Sequence, residues 1–466
     1  MINPNIETSV DKGTPPKKTY IWRAGTLVYT TSGLLSLFAW LSLGDFAWSM
    51  RDRSVLPMAQ WYLNSLKVPN LLFGLIISSF PAFVGLILGP TISVWSDRHR
   101  SKRGRRIPFL LVTGPLAALG MVGLGVTPLV TKWVHGYLQG QTELVVSLIC
   151  FGLFWAAFEF ATIASQAVFG GLINDVVPTP LLGRFYGLFR AVSLIAGMMF
   201  NWWIMGRVPN HFTRILLAIG LFYGVSFFLV CLRVKEGAYP PPPLSDSAST
   251  NVAERFLREV GRYWRECFTN SYYNAVFVLM MAAGLSFFPV NTFTIPFANS
   301  LGVNMHEYGK SVTITFGISF GLSYFLGWLV DVFHPIRMII AVLILYLGVS
   351  LWAFFCATTP ETFLVAWVLH GVLSGCYFTC SASLGQRLFP KARYAQFASA
   401  GGIVFALAVM VMAPITGVII DRSIYRLTFA IGAIFTVLAL GAAWFVYVKF
   451  KKMGGTAAYQ PPEETT

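Results

Sequence analysis

The chain has 466 residues, of which 56% are hydrophobic and 11% are charged, and its formal net charge is +15. Soluble domains carry about 25% charged residues, so this composition excludes a single water-soluble core. The positive charge does not indicate a nucleic-acid partner, because about three-quarters of the Lys and Arg residues fall on one side of alternating apolar segments, the bias expected of a membrane protein.

The N-terminal stretch from Met1 to Lys18 is polar and contains Pro4, Pro15 and Pro16. It lacks the apolar core of a secretory signal peptide, so we expect the first apolar span to be retained.

Twelve apolar segments follow, and each is long enough for a helix that crosses about 30 Å of hydrocarbon. Their runs are continuous rather than alternating, which favours helices over the strands of a membrane barrel. Six segments precede a polar break at 235–271 and six follow it. The predicted spans are 34–62, 70–94, 107–129, 143–171, 184–206, 212–233, 272–297, 308–332, 336–357, 362–388, 396–420 and 427–449.

The loop after the second span holds a dense run of basic residues from Arg98 to Arg106, next to Asp97. The positive-inside rule places such a loop in the cytoplasm. We therefore predict a protein of the plasma (inner) membrane with both termini and the 235–271 segment cytoplasmic. Asp97 can cap a helix or pair with an arginine, so its contacts would hold an inner gate shut in one state. The alternative is that these charges only set the topology.

The polar break opens with Pro240–Pro243, which cannot be helical, and closes with Val252–Phe268, where apolar residues recur at helical spacing. Arg258, Arg262 and Arg265 share another face of that helix. The pattern predicts a helix on the inner membrane surface with its basic face toward anionic headgroups; a solvated linker helix is the alternative.

The predicted domains are a cytoplasmic tail and helix approach at 1–33, a bundle at 34–234, this linker at 235–271, a second bundle at 272–449 and a cytoplasmic tail at 450–466.

Few polar residues interrupt the spans of the second half. Asn291, His370, Tyr377 and Gln386 are the polar residues on helices expected to face a cavity. A lone histidine in a span is more often a packing residue than a proton carrier. The six cysteines lie in or beside spans, and we expect them to be apolar packing residues rather than metal ligands. The sequence contains no motif of an enzyme and predicts no cofactor or metal site.

The two halves repeat one another. Gly89 and Asp97 after the second span are echoed by Gly327 and Asp331 after the eighth. A chain of six plus six spans with such an echo is typical of a transporter built from two repeated bundles, with the substrate near the bilayer midplane. The predicted fold is therefore all-α, with twelve transmembrane helices in two six-helix bundles.

The string Gly89-x7-Asp97-Arg98, followed by a basic-Gly-basic stretch, resembles the loop signature of the major facilitator superfamily. The longer string from Ser96 to Phe109 is similar to that of the glycoside–pentoside–hexuronide cation symporters and the sucrose/proton carriers. Leu43-Gly44-Asp45-Phe46 and Phe189-Arg190-Ala191 also look like that group. The resemblance implies transport by alternating access, with a gate formed by Gly89, Asp97, Arg98, Gly104, Arg105 and Asp331.

The sequence departs from the melibiose-type sodium symporters. Those proteins carry two aspartates in the second span at positions that are Gly85 and Gly89 here, and a lysine where this chain has Ala395-Gln396-Phe397. The resemblance therefore implies that the sodium site is absent, and it leaves proton coupling or uniport open.

The register of the first span decides the position of Asp45. Hydropathy alone places the first span at 27–49, with Asp45 near its outer end. The register of the family places the span at 34–62, which moves Arg51, Asp52 and Arg53 toward mid-membrane. We favour the second register, in which Asp45, Trp48 and Asp52 share one helix face. In the first register the charged triplet is an external loop.

The fourth and fifth spans supply further polar candidates. Glu159 and Gln166 are seven residues apart and share a helix face, with Asn174 nearby. In the family, a sugar-binding acid lies at or near Gln166, and Arg190 matches an arginine implicated in sugar binding. Glu159 would be the remaining titratable group of this span, or the ion-pair partner of Arg190. Trp48 and Trp155 lie near the acids and are candidates for stacking on a sugar ring.

The leading hypothesis is a proton-linked symporter of a sugar or glycoside. The predicted substrate residues are Asp45, Trp48, Gln166, Arg190, Asn291 and Tyr377, and the predicted proton-coupling residues are Asp45, Glu159 and Asp52. An efflux antiporter for an amphipathic compound and a transporter-like sensor that signals through 235–271 are the alternatives. The expected partners are the solute, the proton and the lipid bilayer, and the protein is expected to be monomeric.

Overall fold

The computed structural model describes residues 5–7, 19–137, 140–239 and 252–462. Three short strands precede the helices and form an antiparallel sheet in the order β1 (Asn5–Glu7), β2 (Thr19–Ala24) and β3 (Leu27–Tyr29). Hydropathy did not predict these strands, because they lie in the polar approach to the first span.

The rest of the described chain is helical. The helices are α1 (Thr31–Ser65), α2 (Asn70–Gly74), α3 (Phe80–Arg98), α4 (Ile107–Tyr137), α5 (Glu143–Val176), α6 (Leu182–Met199), α7 (Val208–Arg233), α8 (Val252–Phe268), α9 (Ser271–Ser300), α10 (Met305–Phe333), α11 (Pro335–Cys356), α12 (Pro360–Ser381), α13 (Leu384–Leu388), α14 (Tyr394–Asp421), α15 (Leu427–Lys452) and α16 (Gly455–Ala458). Two π-helical turns, Leu75–Ser79 and Phe200–Ile204, and three 3-10 turns, Thr179–Leu181, Met205–Arg207 and Lys391–Arg393, lie between them.

Eleven stretches of the described chain are long and apolar enough to cross a membrane. One of them, Thr179–Arg233, has 55 residues, far more than the roughly 20 that one crossing needs. Non-helical backbone angles at His211 interrupt this stretch, so it accounts for both the fifth and the sixth predicted spans. Helix α1 runs from Thr31 to Ser65 and places Arg51–Arg53 well inside a helix. This position agrees with the 34–62 register rather than with 27–49.

The helices group into two compact units that do not follow the predicted domain boundaries. The first unit comprises Met1–Ala59 and Val84–Pro243, and the second comprises Gln60–Phe83 and Leu244–Thr466. The chain therefore passes from one unit to the other inside α1 and again inside α3. Pro57 lies two residues before the first of these points and Pro81 two residues before the second.

In the first unit α4 packs against both α5 and α7. Aromatic side chains fill the core of this unit, and they include the fully buried Phe151, Trp155, Phe185, Tyr223 and Phe227. In the second unit α9 packs against α14 and α15, while α12 packs against α10 and α11.

The segment 60–83 joins the second unit through close backbone packing on α14. A Cβ added at Gly417 would lie 2.3 Å from the carbonyl oxygen of Asn70, and one added at Gly74 would lie 2.6 Å from that of Ala413. Only glycine at these two positions allows the backbones to approach so closely.

Asp421 at the end of α14 caps the start of α2. Its carboxylate accepts hydrogen bonds from the backbone N–H groups of Asn70 (2.9 Å) and Leu71 (3.0 Å), and from the side-chain amide of Asn70 (2.9 Å). Tyr425 donates to the Asn70 amide oxygen at 3.2 Å. The first N–H groups of a helix lack intrahelical partners, and a negative charge there is favourable. Asp421 supplies both the hydrogen-bond acceptor and the negative charge at the start of α2.

Helix α8 forms where the amphipathic pattern predicted a helix, at Val252–Phe268. Cys267 is fully buried against the second unit, and the Tyr263 hydroxyl donates to the Gln396 carbonyl at 3.2 Å. Arg258, Arg262 and Arg265 are exposed. The bundle thus covers apolar residues of α8, and contact of the basic face with lipid headgroups stays a prediction.

We predict that Gly417→Ala destabilises the second unit by about 1–3 kcal/mol, because the added methyl group must displace the backbone of residues 70 and 71. The matched control is Gly402→Ala on the same helix, where an added Cβ meets no atom within 4 Å. The control should be neutral or stabilising, since alanine is the better helix former. The thermal unfolding midpoints of both variants in detergent test this. Equal midpoints would contradict the close contact.

Candidate functional site

The first unit contains a cluster of charged residues within α1, α5 and α6, which we call the charge cluster. Its members are Arg51, Asp52, Arg53, Glu159 and Arg190. Arg51 is 4% exposed. Its guanidinium lies 4.0 Å from the centre of the Trp48 ring, and its Nη1 lies 3.7 Å from Asp52 Oδ1. Its Nε and Nη2 atoms have no hydrogen-bond partner among the described residues, so they are donors available to a bound group.

Glu159 on α5 lies within electrostatic reach of Arg51 and Asp52. Arg190 is not among the charges that act on it, so the structure does not contain the Glu159–Arg190 pair that the sequence left open. Arg53 instead interacts electrostatically with Asp52 and Arg190 and donates to Ser193 at 3.4 Å. The cluster therefore brings three cations and two carboxylates together inside apolar helices.

Asp45 lies on α1 outside the charge cluster. It is 8% exposed, and its Oδ2 atom has no hydrogen-bond partner among the described residues. No lysine or arginine in the described part of the chain forms a salt bridge with it. An ionised carboxylate in such surroundings is costly, so Asp45 is suited to a proton or to a ligand donor.

The ring of Trp48 is half-buried and partly occupied by neighbours. Arg51 covers one face, Phe169 stacks at 6.1 Å, and Phe227 lies at 6.2 Å. Trp155, the other aromatic candidate, is 2% exposed and stacks on Phe151 at 5.8 Å. Trp155 is therefore a core residue, and only Trp48 keeps an accessible edge. Gln166 and Arg190 are exposed on their helices, free of the core packing that restricts Trp155.

In the second unit a buried hydrogen-bond chain orients Asn291. The Asn291 side chain is exposed, and its Oδ1 lies 3.1 Å from Nε2 of the fully buried His370. The other ring nitrogen of His370 lies 2.8 Å from the Tyr346 hydroxyl, which also donates to the Ser286 carbonyl at 3.1 Å. Trp367 stacks on the imidazole at 5.3 Å. His370 is thus a positioning residue, which the sequence could not distinguish from simple packing.

Two other polar residues of the second half lie elsewhere. Tyr377 is 3% exposed and packs against Phe287 and Phe378. Aromatic rings cover Tyr377 in this structure, and its place in the substrate site stays a prediction. Gln386 is exposed and lines a cavity near the end of the bundle, beside Arg387 and Phe389.

The basic loop forms an ion-pair network with the end of α5. Asp97 pairs with Arg106 and lies 3.6 Å from Arg105 Nη1. Arg105 makes a bidentate contact with Asp175, with distances of 3.0 and 2.6 Å. Hydrogen bonding to Asp175 is the main reason that the pKa of Arg105 is raised above its usual value. The predicted gate residues Asp97 and Arg105 therefore share an ion-pair network with Asp175, which the sequence did not single out, and their gating role stays a prediction.

Glu236 holds the start of α4. Its carboxylate accepts hydrogen bonds from the backbone N–H groups of Arg105 (2.9 Å), Arg106 (2.9 Å) and Ile107 (2.7 Å). Tyr239 lies 2.9 Å from the same carboxylate and 3.2 Å from Asp175. Burial and these two acids raise the pKa of Tyr239, so its hydroxyl remains a donor.

The remaining predicted gate residues differ in their surroundings. Gly104 has a φ of +105°, and a Cβ there would lie 2.4 Å from Glu236, so glycine is required at this turn. A Cβ at Gly89 would meet no atom within 4 Å, and Arg98 is exposed. In the second unit Asp331 pairs with Arg387 at 2.6 Å, as the echo between the halves suggested for an acid at this position.

Comparisons with known proteins give a family match in the second half of the chain, a short match to a curated relative, and matches of the whole fold to solved structures. Residues 276–462 match the model described as Major Facilitator Superfamily. Over 114 residues the chain is 31% identical to Sucrose transport protein SUT4 of Oryza sativa, from subspecies indica and japonica. That match covers 24% of this chain and only 18% of the relative's length.

Solved structures match nearly the whole chain. They include a bacterial homologue of the human lysosomal transporter Spinster, with 13% identity, a TM-score of 0.64, and coverage of 92% of this chain and 98% of that one. The chain also matches a D-xylose-proton symporter, with 14% identity, a TM-score of 0.63, and coverage of 89% and 97%. A mutant of the nucleoside transporter NupG has 13% identity, a TM-score of 0.67, and coverage of 88% and 100%. At such identities the likeness shows the fold.

Residues 276–462 thus match the major facilitator superfamily, and the resemblance drawn from the basic loop agrees with this match. The solved structures share the fold of this chain, so the predicted all-α membrane fold is confirmed.

We predict that Glu236→Gln lowers stability by about 1–3 kcal/mol, because hydrogen bonds to a charged acceptor are the stronger ones and three N–H groups depend on this carboxylate. The control is Glu307→Gln in the exposed first turn of α10, where removing the same charge should cost less than about 1 kcal/mol. Thermal unfolding in detergent measures both. A control as unstable as Glu236→Gln would refute the assignment of Glu236.

Proposed function

We propose that this transporter moves a small polar solute, a sugar or glycoside, by proton-linked symport through alternating access. The observation that supports proton coupling best is Asp45, a buried carboxylate without a cationic partner among the described residues. A proton that binds one state of the transporter better than another shifts the balance between states. We further propose the plasma membrane as its location, with both termini cytoplasmic.

The charge cluster supports a polar solute rather than an apolar one. Arg51 has two unsatisfied donors, and the exposed Gln166 and Arg190 add an amide and a guanidinium that can bind hydroxyl groups. Glu159 and Asp52 are the acids that we assign to proton transfer beside Asp45. In the second unit Asn291 is the proposed substrate residue, and His370 fixes its amide.

The names of the relatives point the same way, since they include a sucrose transport protein and a D-xylose-proton symporter. A second candidate is an efflux antiporter for an amphipathic compound, which the aromatic residues around Trp48 favour. The direction of proton movement upon solute addition separates symport from antiport. An absence of proton movement with any bound solute favours a sensor.

We predict that Asp45→Asn abolishes accumulation of the solute against a gradient, because an amide cannot take up and release the coupling proton. Exchange without accumulation persists if Asp45 holds only the proton, whereas binding is also lost if it holds sugar hydroxyls. The solute is first identified by a thermal-shift screen of mono- and disaccharides. Uptake into proteoliposomes with an imposed pH gradient then provides the measurement.

The control for Asp45→Asn is Glu143→Gln, which removes a carboxylate from the first turn of α5 and should leave accumulation unchanged. If Asp45→Asn still accumulates solute with an unaltered pH dependence, Asp45 is not the coupling residue. Glu159 then becomes the first alternative.

We predict that Asp97→Asn slows transport at least ten-fold and leaves the equilibrium dissociation constant within two-fold. The substitution removes the charge that Arg105 and Arg106 contact, and this network lies in the loop rather than in the spans. Arg98→Gln, at an exposed side chain, should have a smaller effect. Solute exchange in proteoliposomes and binding in detergent measure the two quantities. Lost binding with a normal exchange rate would count against a gating role.

A further inference from the structure

A cavity lies at the end of the second unit. Its volume is about 860 Å³, within the range of small-molecule sites. Its cationic wall carries Arg387, Lys391 and Arg393, and its aromatic wall includes Phe389, Phe450 and Tyr459. None of the described residues that line it is acidic.

The chain segment that presents the cations is short and well anchored. Helix α13, Phe389 and the 3-10 turn Lys391–Arg393 follow one another, and Phe389 is 2% exposed within the core of the unit. Arg387 pairs with Asp331 through one nitrogen at 2.6 Å, which leaves other donors of its five N–H groups for a ligand. Lys391 has no salt-bridge partner in the described part of the chain.

His334 at the edge of this cavity has an unusual backbone. It is buried, with 7% exposure, and its φ of 73° and ψ of 138° lie where residues other than glycine are rarely found. Such a conformation costs about 1–3 kcal/mol and is commonest at functional sites. The surrounding structure therefore holds His334 in place at a cost in stability.

The side chain of His334 caps the following helix through one of its ring nitrogens. Nδ1 accepts a hydrogen bond from the N–H of Ile336 at 3.4 Å, which caps α11. Burial, with Arg387 and Arg337 nearby, lowers the pKa of His334 to about 4, so the ring is neutral near pH 7. Its proton is then on Nε2, which has no hydrogen-bond partner among the described residues.

The end of the chain closes the other side of the cavity. The Tyr459 hydroxyl donates to the Leu388 carbonyl at 2.8 Å, and Tyr273 donates to the Pro462 carbonyl at 3.0 Å. The Tyr459 ring lies 5.0 Å from that of Phe450, and the Phe450 ring lies 4.5 Å from that of His334. The cavity is thus lined by packed aromatic rings as well as by cations.

We propose that this cavity binds a phosphate ester, with Arg387, Lys391 and the Nε2–H of His334 as donors to the phosphate and the aromatic wall against the rest of the ligand. A carboxylate is satisfied by a single arginine fork, whereas a phosphate offers three oxygens and up to two charges. A cavity with several cations and one neutral donor therefore fits a phosphate better than it fits a carboxylate. The ester could come from a lipid headgroup or from a soluble molecule, and the experiment separates the two sources.

Two binding assays on the full chain, neither of which requires transport, test this proposal. In the soluble arm, calorimetry measures binding of ATP without magnesium to protein in detergent. In the lipid arm, native mass spectrometry measures retention of phosphatidic acid against phosphatidylcholine. Binding in either arm supports a phosphate-ester site and names its source. Absence of binding in both arms overturns it.

Three variants locate the binding. His334→Gly keeps the positive φ without strain and removes the imidazole, so the protein should fold and lose at least ten-fold in affinity. Lys391→Gln should lower the affinity several-fold. The matched control Arg422→Gln removes one exposed positive charge beyond the opposite end of α14 and should change affinity less than two-fold. Equal losses for Lys391→Gln and Arg422→Gln, with no loss for His334→Gly, would mean that only net charge attracts the ligand, and the proposal would be wrong.

Discussion

The carboxylate of Glu236 accepts hydrogen bonds from three consecutive backbone N–H groups at the start of α4. A helix start leaves its first N–H groups without intrahelical partners, and an apolar bundle offers few groups to satisfy them. Because Glu236 directly follows α7, this one contact ties the end of α7 to the basic loop and to α4. The Arg105–Asp175 pair then adds the end of α5 to the same network. The ends of three helices thus depend on one small group of acids.

Within the spans, by contrast, some buried polar groups lack hydrogen-bond partners. At the helix ends each described acid of the network has donors, whereas Asp45 lacks a partner for Oδ2 and Arg51 lacks partners for two nitrogens. Unsatisfied buried polar groups reduce stability, so their presence here is informative. The network at the helix ends joins those ends to one another, and the incomplete polar groups inside the helices are the ones that we propose bind solute and proton.

The sequence predicted the features that depend on local pattern. Continuous apolar runs predicted the spans, the spacing of Asp45, Trp48 and Asp52 predicted a shared stretch of α1, and the amphipathic pattern predicted α8. It did not predict features that depend on which helices meet. Asp175 lies far along the chain from Glu236 and Tyr239, and the only signal of this contact in the sequence was an acid near the end of two spans. The burial of Tyr377 was not predicted either, because hydropathy does not show which face of a helix its neighbours cover.

The grouping of residues 60–83 with the second unit means that two membrane helices each belong to both units. The crossing points fall at Ala59/Gln60 in α1 and at Phe83/Val84 in α3, each just after a proline. Proline lacks the N–H that would bond to the preceding turn, so a helix bends there without losing a further hydrogen bond. The π-helical turn Leu75–Ser79 adds a second irregular turn just before Pro81. The boundary between the units therefore falls within membrane helices, next to residues that weaken a helix, rather than in a connecting loop.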